Sequence, residues 1–461
     1  MSRVATLIFI VGIAGLFYLT RDRKAHTSIF LWVPVMWFLI CESRPVSDWF
    51  QNATGISSEA QYLDGSPTDR LVFVLLLGLA ILQLVLRAPK LKAILRRNLP
   101  VVLFFAYCGI SICWSDFPAI SFKRWIKSLG DLCMILVILT DPDWKIAFKR
   151  TLKRTAFIII PVSILFIKYY PDLGRMYLSW VWTPVYVGVT TNKNTLGMAT
   201  MLLGLGILWC FLQAFLEPRS REKLHSLIGY SALLLMAGWV LWRAGSATSW
   251  SCFLLGGSIL TVTRVSKWFR KPMVIHLMVA AAIALAASAL FLNAGDLLKT
   301  MGRDPTLTGR TEIWHLVIGM DQNPVVGTGF ESFWLGKRLE HIWSLYWWHP
   351  NEAHDGYLEV YLNLGWVGVG FLATLIVTCY LRVVAACRRA PEGSLLLAYF
   401  VVTATYNLTE AAFRMLHPVW IFFLIATIAA PESVRALQKA KKAAAVKPVP
   451  PEVLVPHLEN A

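Results

Sequence analysis

Apolar residues run along this chain in blocks. Stretches rich in Leu, Ile, Val, Phe and Ala recur every 25 to 40 residues from Ile8 to Ile428. A helix that crosses a bilayer needs roughly 20 apolar residues, somewhat fewer if its ends are amphipathic. The pattern predicts helical spans at 4–19, 28–41, 70–86, 99–113, 125–139, 155–168, 194–216, 226–242, 247–263, 274–292, 357–380, 395–410 and 417–430. That is thirteen, and the second and last are short enough that twelve is an equal reading. The first run has the position of a signal peptide, but Arg21, Asp22, Arg23 and Lys24 follow it and no small-x-small cleavage site does, so a retained helix is expected.

Composition points the same way. Of 461 residues, 57% are hydrophobic and 15% charged, against about 25% charged in soluble domains. The expected fold class is therefore all-α, a polytopic inner-membrane protein with about 12–13 transmembrane helices. Four parts are expected: residues 1–292 as helices joined by short loops, 293–356 as one large external loop, 357–430 as the C-terminal helices, and 431–461 as a basic tail rich in Ala, Lys and Pro, expected to be disordered.

The net charge of +17 raises the question of nucleic acid. Its distribution answers it. Alternate loops and the tail hold 28 of the 44 basic residues and 9 of the 27 acidic ones, so that side carries +19 and everything else −2. The excess is accounted for by loops retained on the cytoplasmic side, and no nucleic-acid partner is expected. The eight cysteines lie in or beside the spans with no CxxC, which suits small packing residues rather than a disulfide framework or zinc site.

The residues that remain to be explained lie on the nearly neutral side. Loops of the length of 293–356 are usually functional, and this one holds Trp314, Trp334, Trp343, Trp347 and Trp348 with a helix-like stretch at 311–320 ended by Asn323-Pro324. It reads as an aromatic cap or as an active-site lid whose rings stack on sugars. The basic residues that break the inside bias include Lys123, Arg124, Lys127, Lys193, Arg243, Lys299, Arg303, Arg310 and Arg414. Lys193, Arg243 and Arg310 stand where spans or the loop helix meet the external face, where an anionic headgroup would lie; Arg offers phosphate two parallel hydrogen bonds and Lys a compact charge. Lys127 and Asp131, four residues apart, are expected to pair so that their helix enters the membrane neutralised. The run His349-Pro350-Asn351-Glu352-Ala353-His354-Asp355-Gly356-Tyr357 leads straight into a span and sets a histidine among carboxylates, a setting for a general base. Its spacing is not HExxH, so no metal and no cofactor is expected.

The sequence resembles the O-antigen ligase and Wzy-type polysaccharide polymerase superfamily of bacterial inner-membrane proteins. The motifs that carry the resemblance are Thr191-Asn192-Lys193-Asn194-Thr195-Leu196-Gly197, Gly309-Arg310-Thr311-Glu312-Ile313-Trp314, Asn323-Pro324-Val325-Val326-Gly327-Thr328-Gly329, and Ala353-His354-Asp355-Gly356-Tyr357-Leu358-Glu359 with Leu364-Gly365-Trp366-Val367-Gly368. Trp114-Ser115-Asp116 and Asn407-Leu408-Thr409-Glu410 also resemble family positions. The resemblance covers about residues 100–430.

It implies a GT-C-like, metal-independent glycosyltransferase that moves a glycan from an undecaprenyl-pyrophosphate donor to an acceptor, lipid A-core or a growing glycan, on the periplasmic face. By position, His354 and Arg310 would be catalytic, His354 assisting deprotonation of the acceptor hydroxyl and Arg310 binding pyrophosphate. Arg243, Lys193, Asn194, Glu312, Asp355 and Glu410 would bind substrate. Family members usually show His-Asn where this chain has His354-Asp355. Ligases often place an Arg just after a Ser/Thr pair, whereas here Arg243 precedes Thr248-Ser249; the pattern is closer to the exopolysaccharide polymerase branch. The rival from another class is a transporter or flippase of lipid-linked saccharide, which would favour mid-span charges and repeated broken helices.

Overall fold

The computed structural model describes residues 2–21, 27–50, 66–177, 183–291, 306–320 and 322–446; Lys299 and Arg303 lie outside them. Among the described residues the regular structure is helical apart from one antiparallel pair, β1 (Arg175–Tyr177) with β2 (Pro184–Tyr186), in which Met176 faces Val185.

Every apolar run of the sequence is a helix. The first six runs form α1 (Ser2–Leu19), α2 (Trp32–Cys41), α3 (Pro67–Leu86), α5 (Leu99–Ile110), α6 (Pro118–Leu139) and α7 (Trp144–Tyr169), with the basic α4 (Ala88–Arg97) between α3 and α5. Then come α8 (Lys193–Leu216), α9 (Arg221–Ala244), α10 (Ala247–Val265) and α11 (Pro272–Phe291). The external segment contributes α12 (Thr306–Ile318) and α13 (Gly336–Leu345). The chain then continues with α14 (Gly356–Arg389), α15 (Gly393–Tyr406) and α16 (Pro418–Val446).

Length and apolar content separate these helices. Among the described residues α1, α3, α8, α9, α14 and α16 are long and apolar enough to cross a membrane, and α4 with α5 would make a seventh span broken by a 90° bend. This is fewer than the twelve or thirteen expected. The remaining runs are short, as in α2 and α15, or carry charge, as in α6 with Lys123, Arg124, Lys127 and Asp131. The centre is formed by α8 and α16, most of whose apolar stretches are buried, while α1 and α3 are largely exposed. The exposed side chains there, such as Leu7, Val11, Leu71 and Leu75, are apolar, as a lipid-facing surface requires. The protein is an all-α, multi-pass membrane protein.

Two local expectations change. Asp131 does not pair with Lys127. Its two oxygens accept from Trp37 Nε1 and from the Leu416 amide, each at 2.8 Å, and Lys127 lies over the Phe73 ring. A buried carboxylate is best satisfied by fixed N–H donors pointing at both oxygens. The basic tail, in turn, begins as helix. α16 runs on to Val446, since Ala, Lys and Gln are good helix formers. Pro431 inside it cannot donate to the carbonyl of Thr427, and that carbonyl accepts from Arg382 Nη1 at 3.4 Å.

Candidate active site

The longest helix is not continuous. At Gly365 the backbone of α14 takes φ 63 and ψ −167, which breaks the ladder and frees groups on both sides. A strap of successive turns, residues 323–333, satisfies them. Thr328 and Gly329 donate to the carbonyls of Leu362 and Asn363, and Trp366 and Val367 donate to those of Pro324 and Val325, all at 2.9–3.2 Å. The Asn363 side chain accepts from the amides of Ser332 and Phe333 at 2.8 and 3.0 Å. A Cβ on Gly365 would stand 2.3 Å from the backbone of Val325. The motifs Asn323–Gly329 and Leu364–Gly368 are thus two halves of one joint. Unpaired backbone at membrane depth is tolerated only where protein satisfies it.

The strap and the loop before α14 share a small core, in which Ile313 and Val317 of α12 meet Phe333, Leu339, Ile342 and Leu362. Above that core the backbone around His354 is clamped. Glu359 accepts from the Ala353 amide and from Trp334 Nε1, and Trp314 Nε1 donates to the Ala353 carbonyl at 2.7 Å. Asp355 caps α14 by accepting from the Leu358 amide at 2.8 Å. Asn does the same work at a helix start, so the departure from His-Asn leaves the cap intact. Gly356 donates to the Asn407 carbonyl at 2.9 Å, and a Cβ there would stand 1.9 Å from Asn407 Oδ1. His354 itself has φ 53, a left-handed conformation uncommon outside glycine. Strain of this kind persists where surroundings over-determine it, and it clusters at functional sites.

The clamp delivers five charged side chains into one line. Arg310, at the start of α12, donates to the Thr409 carbonyl and lies 3.6 Å from Glu410. Glu410 is 3.6 Å from His354 Nδ1, which is 2.9 Å from Glu352. Glu352 accepts from Arg414 Nη1 at 2.7 Å. The three central groups have ligand atoms within 4.8 Å of one another, close enough to share a cation, and a guanidinium already stands at each end.

Burial disfavours charge on His354, but the carboxylates of Glu352 and Glu410 outweigh it and raise its pKa from 6.5 to about 9. Burial likewise works against ionising Glu352, yet the contact with His354 and the Arg414 charge lower its pKa to about 2. At neutral pH the two carboxylates therefore favour the charged ring, and His354 can take up a proton only in its neutral form. For Asp355, burial raises the pKa, opposed by the Leu358 and Tyr357 amides and by Arg310.

The other sequence-predicted residues fall differently. Lys193, exposed, and Asn194, half-buried, stand in the first turn of α8, capped by Asn192, whose Oδ1 accepts from Thr195. Gly197 of that helix lies so close to Ser246 and Ser249 that the starts of α8 and α10 come together. Thr248, in the first turn of α10, is 3.5 Å from Thr409. Two helix N-termini, each with about half a positive charge, thus stand on the Arg310 side of the line. Arg243 is stacked on Tyr186, 3.8 Å from the ring centre, with Trp242 and Trp239 beyond, and its Nε is buried without a hydrogen-bond partner. Glu312 is exposed on α12, outside the ion line. Glu352 and Arg414 were visible in the sequence, one beside His354 and one as a cation on the wrong side, but only the fold joins them.

Residues 231–373 match the family model for O-antigen ligase, a range that includes Arg243, Arg310, Glu312, His354 and Asp355. The match covers less than a third of the chain and is a similarity of that segment to O-antigen ligases. Among curated proteins the chain is similar to the exopolysaccharide production protein ExoQ of Rhizobium meliloti (strain 1021), 26% identical over 310 residues, which cover 64% of this chain and 67% of that protein.

Proposed function

We propose that this protein is a periplasm-facing polymerase of the bacterial inner membrane, which extends an exopolysaccharide by transferring glycan from an undecaprenyl-pyrophosphate donor to the terminal sugar of an acceptor. The observation that carries the reading is the line Arg310–Glu410–His354–Glu352–Arg414, clamped at the start of a broken helix. The likeness to an exopolysaccharide production protein favours polymerase over ligase.

In the proposed reaction the acceptor hydroxyl oxygen attacks the anomeric carbon and the bond from that carbon to the pyrophosphate oxygen breaks. The bonding pair leaves on pyrophosphate, whose growing charge is met by Arg310, with Lys193, Asn194 and the helix starts of α8 and α10 on the same side. The hydroxyl proton passes to His354 in the fraction of molecules whose ring is neutral, and the carboxylates of Glu352 and Glu410 stabilise the imidazolium so formed. Fixed charges of this kind are worth most where water is excluded. Arg243, held flat by aromatic rings, would present its remaining N–H groups to the donor.

The test uses purified protein in lipid nanodiscs with a polyprenyl-pyrophosphate-linked repeat unit. Chain extension is expected. Transfer only to an added lipid A-core acceptor would make the protein a ligase, and movement of the lipid across vesicles without transfer would make it a transporter.

A further inference from the structure

Apart from the ion line, three cations gather where α7 ends, β1 begins and α9 ends. Arg243, in the last turn of α9, lies 3.8 Å from the centre of the Tyr186 ring and 5.8 Å from that of Trp239. Arg175 faces Tyr186 across the hairpin and lies 5.8 Å from the same ring. Lys168, in the last turn of α7, is 5.1 Å from the Trp239 ring. Two aromatic rings thus hold three positive charges from three elements. Like charges gathered in this way repel. Among the described residues none of the three forms an ion pair with a carboxylate, and Asp172, which lies between Lys168 and Arg175 in the chain, is exposed and pairs with neither.

The neighbouring Arg44 shows what a purely structural arginine does in this part of the fold. Its guanidinium donates to the carbonyls of Leu173, Gly188 and Thr190 and so ties down both ends of the hairpin. Arg243 makes no such bonds, and its Nε is buried with no acceptor. Arg175 uses only its Nε, which donates to the Ile167 carbonyl at 2.9 Å. A cation that merely snorkels keeps a mobile head in water. Arg243 is instead held against a ring, so its fork is oriented before a ligand arrives, and that fork matches two oxygens of a phosphate.

The surroundings set the depth of the cluster. Tyr169, Met176, Tyr177 and Trp242 are exposed around it, an aromatic-rich surface of the kind that lies at the level of lipid headgroups. The anion present at that depth is a phosphate carried on a lipid. We propose that Lys168, Arg175 and Arg243 form a headgroup site for a phosphate-bearing membrane lipid, with the Arg243 fork on the phosphate oxygens and the other two cations beside it. An anionic phospholipid and a polyprenyl pyrophosphate share this chemistry. The site is separate from the ion line and does not depend on glycan transfer there; capture of the polyprenyl lipid would join it to the donor contact already proposed for Arg243.

The experiment uses full-length protein in phosphatidylcholine nanodiscs that contain equal minor amounts of phosphatidylglycerol, undecaprenyl pyrophosphate and uncharged diacylglycerol. Tyr177→Cys places a thiol on the same face of β1 as Arg175. It is labelled with a benzophenone maleimide and irradiated, and lipid adducts on the peptide containing residue 177 are quantified by mass spectrometry. At least one of the two anionic lipids should be captured at threefold or more above its share of the bilayer, and diacylglycerol should not. Lys168→Gln with Arg175→Gln, and separately Arg243→Gln, should return capture to the bilayer share at an unchanged Tm, while Lys267→Gln on the cytoplasmic side should change nothing. Enrichment of phosphatidylglycerol assigns the site to a bilayer phospholipid, and enrichment of undecaprenyl pyrophosphate assigns it to the donor; either supports the proposal. Capture of all lipids in bilayer proportion, or enrichment that survives both sets of Gln variants, would overturn it. Enrichment in a protein that transfers no glycan would retain the lipid site and reject the transferase reading.

Discussion

Glu352→Gln tests the electrostatics of the site because it removes one charge and little volume. In the native site a rise of the His354 pKa from 6.5 to about 9 corresponds to roughly 3 kcal/mol of preference for the charged ring. Glu352, at 2.9 Å, is the nearer of the two carboxylates responsible, with Glu410 at 3.6 Å. A group titrating near 9 is neutral in about one molecule in a hundred at pH 7, so transfer limited by a neutral His354 should climb tenfold per pH unit from 7 and level off above 9. In Glu352→Gln the climb should begin more than one pH unit lower, because Glu410, Arg310, Arg414 and buried His417 then set the balance. The plateau should fall, since a less basic ring is a weaker proton acceptor. The assay is chain extension in nanodiscs from pH 5.5 to 10, read as kcat/KM for the acceptor. A limb that stays near pH 9 in the variant would refute the assignment of Glu352 as the group that raises the histidine. Loss of activity as pH rises through 9 would refute the base. Stability carries the same signature with its own signs: the His354 contribution is complete below 6.5 and lost as pH rises through about 9, and that of Glu352 is complete above 4.5 and lost as pH falls through about 2. Thermal unfolding in detergent should show the native advantage over Glu352→Gln greatest between those limits.

Arg310→Lys keeps the charge but loses the two-pronged contact, and should cost roughly 10- to 100-fold in kcat/KM for the lipid-linked donor; Arg310→Ala should cost more, measured in the same assay. Gly365→Ala forces a side chain into a left-handed position against the Val325 backbone and should destabilise the protein by ~3 kcal/mol or more, read as a lowered Tm and poor recovery from membranes. Asp131→Asn turns an N–H₂ toward either Trp37 or the Leu416 amide, leaving donors facing donors, and should cost about 1–3 kcal/mol of stability, visible as a lower Tm.

How far the sequence leads differs between fold and site. The helices were legible because lipid exposure demands long apolar runs, and all thirteen runs are helical. Their number as spans was less so: a run such as 125–139 looks like a crossing helix until the helix is seen to begin at Pro118 and carry four charged residues. The break at Gly365 had no signal beyond a glycine, since a broken helix depends on a strap forty residues earlier to satisfy it. At the site, His354, Arg310 and Glu410 could be named from motifs, and they do converge. Charge alone could not reveal that Lys127 stands over a ring while Asp131 holds Leu416, because a spacing of four also fits partners on other helices. Nor could the motif tell that the His354 pKa is raised, which depends on Glu352 and Glu410 meeting across 58 residues of sequence.

The central claim is that His354 accepts the acceptor proton within a lipid-linked glycan transferase, and its most direct test is a single-turnover measurement on His354→Ala. Purified variant and native protein, matched in Tm, are given one equivalent of polyprenyl-pyrophosphate-linked repeat and excess acceptor. The account predicts product from the native protein and a rate at least a hundredfold lower from the variant, with donor binding retained. Extension by His354→Ala at a rate close to native would contradict it.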